Sequence, residues 1–521
     1  MESLKDIFYA VIGNVSILSI KFYTYLLVFI VLYYTIGKKL QWLLLLGASL
    51  FFYLANGRMA ALWMFIPIAV TYGASLAVGK IDGRKKTLLT AFTVLFNVLF
   101  LIYFKEANFF IRLANHALAF AKQPLLDEVS RKAQFGISYL TLMLISYYLD
   151  VSWQTDRVQK NPLKFLTYIL FFPITSSGPI TRYAQLKSNL FETHSFDYEE
   201  FCFGWQRIIW GFFKKLVIAD KISILVNNVY GNDEATGFIV LIGLLLFGVQ
   251  MYFDFSGCMD MVLGIGKILG IALPENFTQP FYATSLSEFW RRWHITLGFW
   301  VKDYVLYPVL KSSTLQNLSK FLKKYLGKKN RYAKLIPTWC GMFITWFTVG
   351  FWHGGGWNYI FGSGLFFFFM IAGGQLLEPV FKKLIHIFHI NTEHICWHVF
   401  QRLRTAFLFL ASVSFDRAGF RHCLSMWKRV FTDFFVHYHG VLKNGISWIE
   451  CAILFTLIIF EILVIERREI KAADNTIWLK SIGRRNIVLR WIVYYALIYT
   501  VVLFGNFISS FNSADFIYMG F

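Results

Sequence analysis

The sequence predicts an all-α, polytopic membrane protein, and three observations predict it. The chain is 57% apolar and 19% aromatic, with a mean hydropathy of +0.53. Only 16% of its residues are charged, whereas soluble domains sit nearer to about 25%. The apolar residues also gather into repeated runs, and a helix needs about 20 such residues to cross a bilayer.

The runs fall at 15–37, 40–56, 60–79, 87–104, 135–152, 236–256, 337–377 (two passes), 402–415, 447–465 and 487–511. The stretch 163–180 is apolar but interrupted by Pro173 and Gly178-Pro179, which suits a broken or re-entrant segment. With such pieces included, roughly 10–12 passes are expected. Neither an internal repeat nor a low-complexity linker divides the chain, so one membrane domain over residues 1–521 is expected. Phe201 to Ile222 and Ser287 to Trp300 mix arginine and lysine with tryptophan and phenylalanine, the composition of helices lying in the headgroup region.

The formal charge of +21 raises the question of an anionic partner. The basic residues sit in short segments between apolar runs: Lys38-Lys39, Lys80 with Arg84-Lys85-Lys86, the carboxylate-free stretch 311–335, and Arg467 to Arg485. This placement follows the positive-inside rule and suits anionic membrane lipid, not nucleic acid. All four belong on the cytoplasmic side if the N-terminus starts outside. The tail beyond Phe507 is then outside as well. The first residues lack a cationic leader and a small-residue cleavage site, so the N-terminus is expected to be retained. Six scattered cysteines form no C-x-x-C pair and read as small core residues.

Chemistry concentrates in residues 250–362. This core stretch carries Met251-Tyr-Phe-Asp-Phe-Ser-Gly257, Pro274-Glu-Asn-Phe277, Glu288-Phe-Trp-Arg-Arg-Trp-His-Ile-Thr-Leu297 and Phe351-Trp-His-Gly-Gly-Gly-Trp-Asn358. An ionisable residue at membrane depth is costly and reads as functional by default. His353 follows an apolar run and precedes three glycines, which allow a helix break and a close approach of backbone to a ligand. Its imidazole could take a proton from a hydroxyl or thiol. The structural alternative is a histidine that hydrogen-bonds across helices.

Helical spacing puts Trp290, His294, Leu297 and Val301 on one face of a single helix, with Glu288 and Arg292 paired on another. Arg291 and Arg292, beside Trp293, could meet an anionic donor, or could hold lipid phosphates. Asp254, Asp260 and Asn276 flank spans, where capping explains an acidic or amide side chain as readily as orientation of a histidine does. Trp352 borders His353 and could line the same path. The spacing of His386, His389, His394, Cys396 and His398 fits no compact zinc template, and His437-Tyr-His439 reads as a solvated loop, so no metal is expected. Neither a Walker sequence nor a G-x-S-x-G element is present.

Taken together, these four motifs resemble the membrane-bound O-acyltransferase (MBOAT) family, most closely its bacterial alginate O-acetylation branch, with the teichoic-acid D-alanyl transfer proteins as cousins. Phe51-Phe-Tyr, Tyr103-Phe-Lys-Glu-Ala-Asn, Gly136-Ile-Ser-Tyr, Gly178-Pro-Ile-Thr-Arg-Tyr183 and Phe516-Ile-Tyr extend the likeness. The resemblance implies a bundle of membrane helices around a central tunnel in the bacterial plasma membrane, with His353 and His294 as catalytic residues. It implies no bound cofactor. The acyl group, acetyl by preference, would come from a cytosolic thioester such as acetyl-CoA or an acyl carrier. The final acceptor would be a cell-surface polysaccharide, reached through an extracytoplasmic, SGNH-hydrolase-like acyltransferase partner. Gly298-Phe299, Thr175-Ser-Ser177 and Phe415-Asp-Arg-Ala depart from the family pattern. D-alanyl transfer to teichoic acid, a proton-coupled polymer exporter and a non-enzymatic scaffold are the rival readings. An exporter would more often show repeated halves, and none is seen.

Overall fold

The computed structural model describes residues 15–129, 135–175, 177–433 and 447–505. Expectations for the first residues, for Ser176, for His437-Tyr-His439 and for the tail beyond Phe507 lie outside the described residues. Among the described residues the chain is helical, with one isolated antiparallel bridge between Phe277 and Trp293 and no strand. Among the described residues seven helices are long and apolar enough to cross a membrane: Lys38–Gly57, Ala60–Val78, Gly83–Phe120, Gly237–Ile268, Tyr332–His353, Trp357–Ile387 and Ile487–Phe504. Ile20–Thr35 and Ile137–Ser152 are apolar but shorter. Against the expected 10–12 passes, the described residues hold seven full-length candidates; the run at 402–415 lies in the helix Ile395–Val413.

The chain divides into two compact units that alternate along the sequence. The first comprises the residues up to Lys214, then Phe255–Glu275, then those from Gly483 onward. Its core is aromatic: Phe22 packs edge-on to Phe52 at 5.8 Å, and Phe29 edge-on to Phe172 at 5.6 Å, the offset geometry that ring quadrupoles favour. In Ile137–Ser152 every residue except Ser138 and Asp150 is buried, as expected of a helix apolar all round. The interrupted stretch behaves as its prolines require. Asn161 caps Pro162–Leu170, and the helix ends before Pro173. The buried backbone beyond it finds side-chain partners, since Thr175 Oγ1 donates to the Leu170 and Phe171 carbonyls at 2.9 Å and the Phe172 amide to Ser49 at 3.1 Å.

Phe201 to Ile222, whose composition suits a headgroup position, keeps most of its charges inside the protein. Residues 198–230 run as one helical rod, Tyr198–Phe212, a π-helical turn Phe213–Ala219 and Asp220–Tyr230, on which Arg207, Lys214, Lys215 and Asp220 are buried. Within the first unit Arg207 donates from Nε to Asp260 at 3.0 Å and grips Glu275 with both terminal nitrogens at 2.8 and 2.7 Å. Lys214 meets the other Asp260 oxygen at 3.2 Å. The close approach needs glycine. A Cβ on Gly204 would lie 2.6 Å from the Gly264 carbonyl oxygen, and one on Gly211 2.6 Å from that of Gly257.

The second unit comprises Lys215–Asp254 and Asn276–Ile482. In it Lys215 bridges Asp254 at 2.6 Å and Asp220 at 2.9 Å. Asp254 and Asp260 therefore do not cap a helix. Both lie inside the 32-residue helix Gly237–Ile268, where an aspartate is tolerated because a cation neutralises it. The histidines 386, 389 and 394 are exposed around the turn between Phe366–Ile387 and Ile395–Val413.

Candidate active site

The site is built in the second unit by two short chain segments and the end of one membrane helix. Ser285 caps Leu286–Arg292, accepting from the Glu288 amide at 3.2 Å. Glu288 turns back to accept from the Thr284 amide and hydroxyl, both at 2.9 Å, and pairs with Arg292 at 2.9 Å. The expected Glu288–Arg292 pair is therefore present.

The expected continuous helix is not. It stops at Arg292, because residues 276–278 lie alongside as an extended segment: the Thr278 amide donates to the Arg292 carbonyl at 3.0 Å and Ile295 to the Asn276 carbonyl at 3.1 Å. Trp293 leaves the helix and is buried against Phe277, Phe289 and Phe409, ring centres 4.7–5.7 Å away. A second helix, Ile295–Val301, starts immediately after His294. Trp290 and His294 therefore do not share a helix face with Leu297. Trp290 instead packs on Trp346 at 4.9 Å and Phe367 at 4.8 Å.

His294 occupies the left-handed region, φ 45° and ψ 51°. A non-glycine residue there costs about 1–3 kcal/mol and persists only where its surroundings over-determine it. Asn276, fully buried, supplies part of that determination. Its Oδ1 accepts from the Thr296 amide at 3.0 Å and the Thr296 hydroxyl at 2.8 Å, and faces His294 Nδ1 at 3.4 Å. A backbone amide can only donate, so the Asn276 atom is the oxygen. His294 Nδ1 must then carry the hydrogen, which leaves the lone pair of the neutral ring on Nε2.

The His294 ring lies 6.4 Å from the Trp352 ring, which lies 5.0 Å from His353. His353 is the last residue of Tyr332–His353 and is 5% exposed. Gly350 and Gly354, on either side of it, allow close packing. Tyr359 fills the space a Gly354 side chain would need, and a Cβ on Gly350 would lie 2.7 Å from the Tyr359 carbonyl oxygen. Gly364 likewise approaches the Trp346 carbonyl oxygen, at 2.7 Å for an added Cβ.

Two imidazoles are thus buried together, and they affect one another. His294 lies outside the candidate membrane spans. Burial, then the charge on His353, pulls its pKa well below the usual imidazole value. The folded protein holds His294 neutral where the unfolded chain, near its ordinary pKa of about 6.5, takes up a proton. Between those values the unfolded state binds more protons, so stability falls as pH falls; above about 6.5 the term vanishes. Thermal unfolding in detergent should show Tm dropping from about pH 6.5 to 5, and His294→Gln should flatten that drop. A variant that keeps the whole acid slope places the titrating group elsewhere.

The other candidate residues separate. Asp254 is 1% exposed and held by Lys215. Arg292 is committed to Glu288 and donates to the Thr278 carbonyl at 3.2 Å, while Arg291 is exposed. Sequence reasoning missed Thr296, which fixes the orientation of Asn276, and Gln279, which holds the extended segment. It also missed the buried Asp416, which accepts a hydrogen bond from Ser363. Thr296 and Asn276 lay inside quoted motifs, but only the break at His294 brings them together.

Against known proteins, the model of the MBOAT, membrane-bound O-acyltransferase family, matches residues 89–323. That range contains Asn276 and His294 and ends before His353. The Probable alginate O-acetylase AlgI of Pseudomonas syringae pv. tomato is 35% identical over 345 residues, 64% of this chain and 63% of its own length. The Peptidoglycan O-acetyltransferase of Helicobacter pylori is 30% identical over 356 residues, 61% of each chain. The Teichoic acid D-alanyltransferase of Bacillus subtilis is 31% identical over 234 residues, 42% of this chain and 53% of its own. The chain therefore aligns with less than two thirds of the length of these relatives.

Proposed function

We propose that this chain, a multi-pass membrane protein whose residues 89–323 match the model of the membrane-bound O-acyltransferase family, O-acylates a cell-surface polysaccharide with a group, acetyl by preference, drawn from a cytosolic thioester. The observation that carries the reading is the buried pair His294 and His353, one with its tautomer fixed by Asn276. A family likeness gives the reaction class. The pair supplies what that class needs, a proton acceptor held away from bulk water.

The acceptor hydroxyl oxygen attacks the thioester carbonyl carbon, and its proton passes to an imidazole. The carbon–sulfur bond then breaks, and the same proton leaves with the thiolate. His353 is the general base in this scheme. His294, kept neutral by burial, presents Nε2 as a second acceptor and spares His353 a neighbouring positive charge. The thioester supplies the driving force. Of the two arginines, Arg291 is the one free to meet a phosphate of the donor, whereas Arg292 holds the site together. An extracytoplasmic acyltransferase partner would finish the transfer, with the two compact units working as one membrane domain.

The test is acyl transfer in proteoliposomes, with donor titrated inside and acceptor outside, alongside mass analysis of surface polysaccharide from cells with and without the protein. Loss of an acetyl increment is the expected result, and Arg291→Lys should weaken donor use more than acceptor use. The likeness to a D-alanyltransferase supports a second reading, in which the missing increment is alanyl. Unchanged polysaccharide in the deletion overturns both.

A further inference from the structure

Gln279 lies three residues beyond Asn276 and, like His294, is a non-glycine residue in the left-handed region, φ 46°. Gln279 follows, and His294 lies within, the ladder that sets the geometry of the site: Asn276 to Ile295, Phe277 to Trp293, and Thr278 to Arg292. Gln279 is itself held from one direction. Its Nε2 donates to Glu469 Oε2 at 2.8 Å and to Asn475 Oδ1 at 3.0 Å, and Asn475 Nδ2 donates in turn to the Phe277 carbonyl at 3.4 Å. Tyr282, three residues further on, donates to the Ile462 carbonyl at 2.9 Å and lies under the Arg402 guanidinium. The extended segment is thus fastened at its far end to residues 462–475, well removed in sequence from either histidine.

We propose that Gln279 is a positioning residue, held by Glu469 and Asn475, that keeps Asn276 in register and thereby fixes the tautomer and orientation of His294. The inference rests on the reading of His294 as part of the acyl-transfer site. Asn276 is followed by Phe277 and Thr278, and these are pinned by Asn475 and by the Arg292 carbonyl. A rotation of the Gln279 backbone out of its left-handed conformation would swing the Asn276 oxygen away from Thr296 and Nδ1 together. Glycine adopts φ 46° without strain, so Gln279→Gly removes the side-chain bonds while leaving the backbone conformation accessible.

Two readouts test this on the full chain in detergent or proteoliposomes. The first is nitrogen-15 NMR of labelled histidine, which reports the His294 tautomer with no substrate present. In Gln279→Gly its signals should move from the Nδ1–H form toward a mixture of tautomers. The second is turnover, with kcat falling roughly 10- to 100-fold while donor KM stays near its original value. Glu469→Gln keeps an acceptor oxygen and should resemble the unmodified protein in both readouts. Glu469→Ala should follow Gln279→Gly in the same direction, and the double variant should be no worse than Gln279→Gly alone, because both act through one contact. Unchanged His294 signals in Gln279→Gly overturn the proposal, as do fully additive effects. If Gln279→Gly does not fold, unchanged signals in Glu469→Ala relative to Glu469→Gln overturn it instead. An unmodified protein that is inactive with every thioester, but whose His294 signals still respond, removes the acyl-transfer reading and leaves the positioning role standing.

Discussion

Replacing His353 by alanine or glutamine should leave a protein that inserts and folds but transfers acyl groups about 10²–10⁴-fold more slowly, roughly 3–5 kcal/mol of barrier. The range follows from general-base catalysis by one imidazole. Folding should survive because His353 ends its helix, and the close packing on either side of it is made by Gly350, Gly354 and Tyr359, which the substitution leaves in place. The loss should persist with donor saturating, since a proton acceptor acts after binding. Activity within tenfold of the original, at equal protein level, would reduce His353 to a structural hydrogen-bonding residue. A non-enzymatic scaffold would show that same indifference.

The second large effect is on stability. Arg207→Met should cost about 3–5 kcal/mol, because it leaves Asp260 and Glu275 facing a space that held their counter-charge. Glu275 keeps about a third of its side chain exposed and can recover some hydration, whereas Asp260 retains only Lys214. Membrane-fraction yield and unfolding temperature in detergent are the measurements. Arg207→Met combined with Asp260→Leu should recover part of the loss, since exchanging a buried pair for apolar side chains is often close to neutral. Normal yield and Tm for the single variant would mean that water reaches this cluster.

The apolar runs were legible because burial in lipid leaves a signal that depends on length and composition alone. Each expected run corresponds to a helix, and the break after Leu170 falls where Pro173 required one. The two catalytic candidates were legible for a similar reason, as polar residues in the wrong solvent. What could not be read was anything set by long-range pairing. The periodicity around His294 is that of a helix, and only residues 276–278, lying alongside, end it at Arg292. Lys214 and Lys215 beside Trp210 look like headgroup contacts until Asp254 and Asp260 are brought to them. The same residues fit an interface or a core, and composition does not distinguish the two. Glu288 with Arg292 was read correctly because that pair lies within one helical turn.

The buried charges of residues 207–220 also constrain how the chain can be made. Arg207 precedes Asp260 by 53 residues and Glu275 by 68, and Lys215 precedes Asp254 by 39. At roughly 5–20 residues per second, the first carboxylate partner of Arg207 leaves the ribosome about 3–10 s after it. Through that interval Arg207 and Lys214 lack the Asp260 carboxylate that neutralises them in the folded chain, and a lone cation at the centre of a bilayer costs about 2.5–3.5 kcal/mol. The segment around Arg207 therefore cannot be buried at low cost until Gly237–Ile268 supplies Asp260. The order of synthesis thus ties the burial of one helix to the arrival of the next.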